Sequence, residues 1–357
     1  MTSRPKIYHW LRPLSFLYGL GVRARNRAFD CGWLKQESFG VPTICVGNLA
    51  VGGTGKTPHT ELLVRLLQPH YKVAVLSRGY RRQTHGYHVA TPADTAATIG
   101  DEPFQMFSKF RNLTVAVDED RREGIRRLMA EEKPDAVILD DAFQHRYVKP
   151  GLSLLLTTYQ RPYYADCLLP AGRLREPVSG MLRASIIIVT KCPPSLTPIE
   201  QNLLRKKLQL RPYQELYLTS FSYGKPYPLQ PNKKNRWNNP PAILLLSGIA
   251  HPDQLLRHAQ TLCSRVESLT FADHHAFSDA DIQHLNNRWR QLPAGSIVLT
   301  TEKDAARLRA YKLTDKALLR AIWIQPVSVC FIDGREEHFT QNILNYVAEN
   351  TRNQTMD

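Results

Sequence analysis

The residues most suited to chemistry are Ala50-Val51-Gly52-Gly53-Thr54-Gly55-Lys56-Thr57. They follow the apolar run Val41-Pro42-Thr43-Ile44-Cys45-Val46 and precede the helix-like run Glu61-Leu62-Leu63-Val64-Arg65-Leu66-Leu67. A strand, a glycine-rich turn, Lys-Thr and a helix form the layout of a phosphate-binding P-loop. Gly52, Gly53 and Gly55 let backbone N–H groups curl around phosphate oxygens, and the new helix points its positive end at the anion. Thr54 completes the cradle, Lys56 has the reach to meet β- and γ-phosphates, and the Thr57 hydroxyl is a ligand for Mg²⁺. Ala50 stands where the usual pattern has glycine, so the strict motif is not matched. Pro58 suits a first helical turn, where its missing N–H costs nothing.

Carboxylates and bases recur at the ends of other apolar runs. Asp140 and Asp141 close the run Asp135-Ala136-Val137-Ile138-Leu139, at the end of a strand where open α/β sheets bind ligands and where P-loop proteins hold Mg²⁺. Asp101 and Glu102, in Gly100-Asp101-Glu102-Pro103, either favour a helix N-terminus or act beside phosphates, holding metal or accepting a proton. Spacing leaves both readings open. Asp273-His274-His275 offers acid–base candidates, against a plain surface loop. Arg78, Arg121, Arg122, Arg173 and Arg175 lie on segments after strand-like runs, and arginine suits bidentate phosphate recognition.

These residues need a scaffold, and the apolar pattern supplies one. Strand-like runs at 41–47, 72–76, 113–117, 136–139, 152–156 and 186–189 alternate with helix-like runs at 58–69, 102–111, 120–132 and 197–209. Continuous apolar strands separated by helices point to a mainly parallel sheet covered on both faces. The first domain is expected over residues 1–215. Residues 216–241, which turn polar and Pro/Asn-rich from 225, are expected as a linker. A second α/β pattern occupies 242–357, with strands at 242–246, 266–271 and 296–300 and helices at 252–263, 279–291 and 303–311. The tail, a strand-like run at 327–332, Asp333-Gly334 and a helix from about Thr340, leaves open a return to the first domain. Asp-Gly between apolar runs is also a hairpin signal.

A chain of 357 residues suits two domains. Lys and Arg (47) exceed Asp and Glu (32), a formal net charge of +15 that favours an anionic partner. The six cysteines form neither a C-x-x-C pair nor a metal-ligand spacing, which excludes a disulfide scaffold or zinc module. No apolar run approaches the ~20 residues needed to span a bilayer. The basic, aromatic N-terminal segment carries Trp10, Leu14, Phe16, Leu17, Tyr18 and Leu20 among arginines. It reads as a helix lying in an anionic membrane interface or as a first helix packed on the core. No small-residue cleavage site follows it. Three functional readings compete: a kinase, a P-loop ATPase or GTPase switch acting at a membrane or on nucleic acid, and a non-catalytic nucleotide-binding adaptor at a membrane. Thr190-Lys191 is a candidate base reader for the switch. Against nucleic acid, aromatic residues do not interleave with a basic stripe.

The ordered segments Val46–Pro58, Ser77-Arg78-Gly79-Tyr80, Gly100–Pro103, Asp140-Asp141-Ala142-Phe143-Gln144-His145, Leu168–Pro177, Gly248-Ile249-Ala250, Phe271–His275 and Thr301-Glu302-Lys303-Asp304-Ala305 closely resemble the tetraacyldisaccharide 4'-kinase (lipid A 4'-kinase) family of Gram-negative bacteria. That family's P-loop also lacks the first glycine. Ala142 departs from the usual glycine, and no Arg-Asp pair appears around Pro150-Gly151. The resemblance implies a P-loop NTPase-like α/β/α domain and a second, smaller α/β/α domain joined by a β-stranded linker, with ATP in the cleft. It implies transfer of the ATP γ-phosphate to the 4'-hydroxyl of a lipid A disaccharide 1-phosphate, with Mg²⁺, at the cytoplasmic face of the inner membrane. By motif position, Asp101 resembles the catalytic carboxylate and His274 its partner from the second domain, so that domain closure assembles the site. Thr57, Asp140, Asp141 and Glu102 would form the metal environment. Arg78, Arg121, Gln144, His145 and Arg173 resemble substrate or phosphate contacts.

Overall fold

Runs such as Thr43–Asn48 and Ile186–Thr190 are buried at every position, as strands covered on both faces must be. The structure, a computed structural model, describes residues 7–231, 237–249, 252–273, 275–311 and 315–352. Its strands in chain order are β1 (Thr43–Asn48), β2 (Val73–Ser77), β3 (His88–Val89), β4 (Thr114–Val117), β5 (Ala136–Asp140), β6 (Leu152–Thr158), β7 (Ile186–Thr190), β8 (Glu215–Tyr223), β9 (Tyr227–Pro228), β10 (Ile243–Ser247), β11 (Val266–Thr270), β12 (Ile297–Thr301), β13 (Ile322–Gln325) and β14 (Val327–Phe331). The α-helices are α1 (Arg12–Asp30), α2 (Lys56–Leu67), α3 (Ala96–Ile99), α4 (Asp101–Lys109), α5 (Arg121–Arg127), α6 (Pro198–Leu208), α7 (Asp253–Leu262), α8 (Asp279–Arg290), α9 (Glu302–Ala310), α10 (Lys316–Ala321) and α11 (Glu336–Arg352).

The first sheet has nine strands in the order β14-β8-β7-β6-β1-β5-β2-β4-β3. From β8 to β4 every pair is parallel, and only the edge strands β14 and β3 run antiparallel to their neighbours. Apolar layers cover both faces. Ile125, Leu204 and Leu208 lie on one side, and Leu63, Leu67, Met106, Phe339 and Ile343 on the other. The second sheet has five strands in the order β11-β10-β12-β13-β9, parallel except for β9. It too is covered on both faces, by Leu285, Leu308 and Leu318 on one side and Leu255 and Ala259 on the other. The chain is therefore an α/β protein with a P-loop NTPase-like α/β/α arrangement and a smaller second one.

The segment expected as a linker from residue 216 begins as β8, paired with β7 and with β14 inside the first sheet. The tail crosses back with β14, and α11 buries Phe339, Ile343 and Val347 on the first domain. The hairpin signal at Asp333-Gly334 is overridden by a tertiary contact. The Asp333 carboxylate accepts the N–H of Leu218 at 3.0 Å and that of Arg335 at 3.3 Å, so the turn is fastened to the sheet edge and opens α11 at Glu336.

Candidate active site

The site forms where β1 ends between β5 and β6, the crevice at strand C-termini where the direction of sheet growth reverses. Gly52 and Gly55 take φ of +110° and +90°, a region that disfavours side chains. A Cβ at Gly55 would also lie 2.7 Å from the Phe221 ring. The loop is braced from three sides. Asn48 Nδ2 donates to Thr54 Oγ1 at 2.7 Å, Thr190 Oγ1 donates to the Thr54 carbonyl at 2.8 Å, and a His59 ring nitrogen lies 2.8 Å from the Gly55 carbonyl. Burial pushes the His59 pKa down to about 4, so the brace is a neutral imidazole at neutral pH. Thr190 therefore supports the loop from β7. His59 and Thr190 were not singled out as braces in the sequence, because neither carries a local motif for that role.

The loop opens on a cavity of about 920 Å³ lined by residues of both domains. Its walls hold Gly52, Gly53, Thr54, Gly55, Lys56 and Thr57, together with Glu102, Asp141, Arg78, Arg121, Gln144 and His145. Arg173 is exposed outside this wall, whereas Arg175 lies in it. Lys56 Nζ is 3.6 Å from Asp141 Oδ2, and Arg175 Nη1 is 3.2 Å from both Asp141 Oδ1 and Gln144 Oε1. Burial works to raise the Asp141 pKa, but Lys56, Arg175 and Arg121 outweigh it and hold the carboxyl below its ordinary range. Asp140 behaves oppositely. It is 1% exposed, accepts one hydrogen bond from Thr60 Oγ1 at 2.9 Å, and is pushed up to about 7 by burial, with Glu102 and Asp141 adding repulsion. The two adjacent carboxyls are thus shifted in opposite directions.

Arg121 is buried, and its Nη1 donates to the carbonyls of Asp118 and Glu119. Burial lowers its pKa to about 10, with Arg78 adding repulsion, which still leaves it cationic. His145 is lowered to about 4 by burial and by Arg121, so a neutral ring faces the cavity. Gly79 and Gly100 bring the loop after β2 against the start of α4. A Cβ at Gly100 would lie 3.2 Å from the Gly79 backbone, so the two loops meet main chain to main chain.

Asp101 opens α4, and the second domain reaches it through α9. Arg307 Nε donates to Asp101 Oδ2 at 2.8 Å, and Nη2 lies 2.7 Å from the same oxygen as an ion-pair contact without hydrogen-bond angles. Lys303 Nζ lies 3.5 Å from Glu102 and 3.2 Å from Asp273. Lys109 Nζ meets Glu302 at 2.5 Å and Glu61 at 2.6 Å. His274 lies outside the described residues. His275 is engaged elsewhere, stacked on Phe271 and 2.9 Å from Asp281 in the cap of α8. Arg307 was missed by sequence reasoning, though its place two residues beyond Thr301–Ala305 was a usable signal.

The residues expected around a metal, Thr57, Asp140, Asp141 and Glu102, would all offer oxygens, as a hard cation requires. Among the described residues no group of three or more His, Cys, Asp or Glu is gathered closely enough to hold a metal ion.

One face of α1 is packed on the site's loops. Ser15 Oγ donates to the Leu168 carbonyl, Tyr18 Oη to that of Arg175 and Arg25 Nη2 to that of Gln144. The other face exposes Leu14, Phe16, Leu17 and Leu20, with Trp10 just before it 78% exposed. No described helix is long and apolar enough to cross a membrane.

A model of the tetraacyldisaccharide-1-P 4'-kinase family matches residues 7–348. The tetraacyldisaccharide 4'-kinase of Bacteroides thetaiotaomicron is 49% identical, with 98% of this chain and 95% of the relative covered. That of Porphyromonas gingivalis is 43% identical, with 96% and 98% covered. Among solved structures, LpxK from Aquifex aeolicus, crystallised in complex with ATP, is similar with a TM-score of 0.72 and 27% identity, covering 94% of this chain and 98% of that one.

Proposed function

The chain belongs to the tetraacyldisaccharide-1-P 4'-kinase family, and from that premise we propose how its residues carry out the family's reaction. It is an ATP-dependent lipid kinase of lipid A biosynthesis, moving the ATP γ-phosphate to the 4'-hydroxyl of a tetraacyldisaccharide 1-phosphate. The observation that carries the residue assignments is a cavity in which the P-loop, Asp141 and Glu102 at the start of α4 meet Lys303 and Asp273 of the second domain.

In this reading the N–H groups of Gly52 to Thr57 and the start of α2 cradle the phosphates, and Lys56 neutralises β/γ charge. Thr57 and Asp141, with Asp140 and Glu102, would hold Mg²⁺, which would neutralise charge developing on the phosphate oxygens. Lys56 and Arg175 keep Asp141 ionised and ready as a ligand. Asp101 accepts or steers the proton of the attacking 4'-hydroxyl, with His274 as its partner. Arg121, Arg78, Gln144 and His145 contact the phosphorylated sugar. Arg173 is assigned the outer rim, because its side chain is exposed beside Gly52.

The enzyme works as a peripheral protein at the cytoplasmic face of the inner membrane. The exposed apolar face of α1 supports this, since the same helix touches the carbonyls of Arg175 and Gln144 and so ties a lipid-facing surface to the site. The surplus of basic residues serves an anionic lipid surface rather than nucleic acid. The test is phosphate transfer from labelled ATP to the disaccharide 1-phosphate by wild type, Asp101→Asn and Lys56→Ala. Labelled lipid from wild type and little from either variant supports the assignments. Full turnover by Asp101→Asn removes that residue from the mechanism.

A further inference from the structure

The first two turns of α9 present three charged side chains to the first domain, and each meets a group of opposite charge on α4. Glu302 meets Lys109, Lys303 meets Glu102, and Arg307 meets Asp101. The Thr301–Ala305 motif is therefore a docking edge, which its role in the fold alone does not require. Arg307 differs from the other two because its far end is locked. Nη1 donates to the Gly248 carbonyl at 3.1 Å and to Asp304 Oδ1 at 2.8 Å. Asp304 is fully buried, and its Oδ2 accepts the Gly248 N–H at 3.0 Å and the Thr301 hydroxyl at 2.7 Å. The guanidinium is thus anchored within the second domain and offers its remaining edge across the cleft.

We propose that Arg307 is a positioning residue, which fixes the Asp101 carboxylate in its reacting orientation only when the second domain closes. The proposal rests on the reading of Asp101 as the group that meets the 4'-hydroxyl. A rigid guanidinium held at its other edge restricts rotation of the carboxylate it grips, more than a flexible ammonium would. When the domains part, Arg307 stays with Asp304 and Gly248 while Asp101 loses this contact. The chain thereby makes one step of site assembly depend on closure.

The test is steady-state kinetics on Arg307→Lys, Arg307→Ala, Asp101→Asn and the double variant Asp101→Asn/Arg307→Ala, with ATP affinity measured directly on each. A misplaced catalytic group costs up to about a hundredfold in rate. Arg307→Ala should therefore lower kcat by roughly tenfold to a hundredfold while the ATP dissociation constant stays within about threefold. Added guanidinium should restore part of the kcat of Arg307→Ala and none of that of Asp101→Asn. Arg307→Lys, which keeps a charge against the buried Asp304, should fold and fall between wild type and Arg307→Ala. In the Asp101→Asn background the Arg307→Ala change should cost little more. A loss that persists undiminished in that background, or that appears in ATP affinity rather than kcat, overturns the proposal. Wild-type turnover by Asp101→Asn instead overturns the reading on which it rests, and the single-variant arm reads that outcome separately.

Discussion

Asp140 is held in the folded protein at a cost, and Asp140→Asn should reveal it. The carboxyl is 1% exposed, hydrogen-bonded to Thr60, and pushed up to about 7 from its ordinary 3.8. As pH rises past 3.8 the unfolded chain releases its proton while the folded protein retains it until about 7. Stability therefore falls across that window, and the deficit is complete above it. At about 1.4 kcal/mol per pH unit, the deficit is on the order of 4 kcal/mol at pH 8. An asparagine keeps an oxygen for the Thr60 hydroxyl and never ionises, so the variant escapes the deficit. Thermal unfolding of nucleotide-free protein should place Asp140→Asn above wild type by roughly 5 °C or more at pH 8, with a smaller gap at pH 5. Phosphate transfer should fall sharply, because the carboxylate is one of the proposed Mg²⁺ ligands. Equal stabilities at pH 8, or a gap that shrinks as pH rises, would refute the reasoning.

Three further outcomes follow from other parts of the molecule. Lys56→Ala should cut kcat by at least about a hundredfold, as losing a preorganised charge at a transition state does, with an unchanged circular dichroism spectrum; near-normal turnover would exclude its proposed role. Trp10→Ser/Phe16→Ser/Leu17→Ser should weaken binding to anionic vesicles by tenfold or more, since each buried apolar side chain is worth about 1.5 to 3 kcal/mol. ATP affinity should not change, and vesicle binding equal to wild type would return α1 to a packing role alone. Lys109→Met leaves Glu61 and Glu302 facing each other without their shared cation, where burial and mutual repulsion already raise the Glu302 pKa. Breaking such a buried cluster costs about 3 to 5 kcal/mol, so small-angle scattering should report a more open molecule, and an unchanged profile would count against α4–α9 docking as the closing contact.

What the sequence makes legible follows from how local each signal is. The P-loop reads directly because Gly52, Gly55 and Lys56 answer to steric and charge demands within eight residues. The core strands read nearly as well, since β1, β5 and β7 are buried throughout and mostly apolar. The edges do not. β8 alternates burial at its end and resembles a linker, yet a returning strand 100 residues later pairs with it. β13 escaped notice because its four residues directly follow α10, with no turn residue between them. Asp333-Gly334 signalled a hairpin, and the hydrogen bond to Leu218 that redirects it is a tertiary contact. Arg307 is the clearest case. Its partner Asp101 lies 206 positions away, and only the meeting of α4 with α9 brings them together. Arg175, rather than Arg173, lines the cavity, a distinction that their shared sequence motif does not carry.

The most direct test of the central claim is transfer of the labelled ATP γ-phosphate to a tetraacyldisaccharide 1-phosphate in detergent micelles, with phosphorus and proton resonances locating the new ester. The account predicts a phosphate on the 4'-oxygen, made by wild type and lost in Lys56→Ala and Asp101→Asn. ATP bound at the P-loop with no phosphorylated lipid, or a phosphate placed at another hydroxyl, would contradict it.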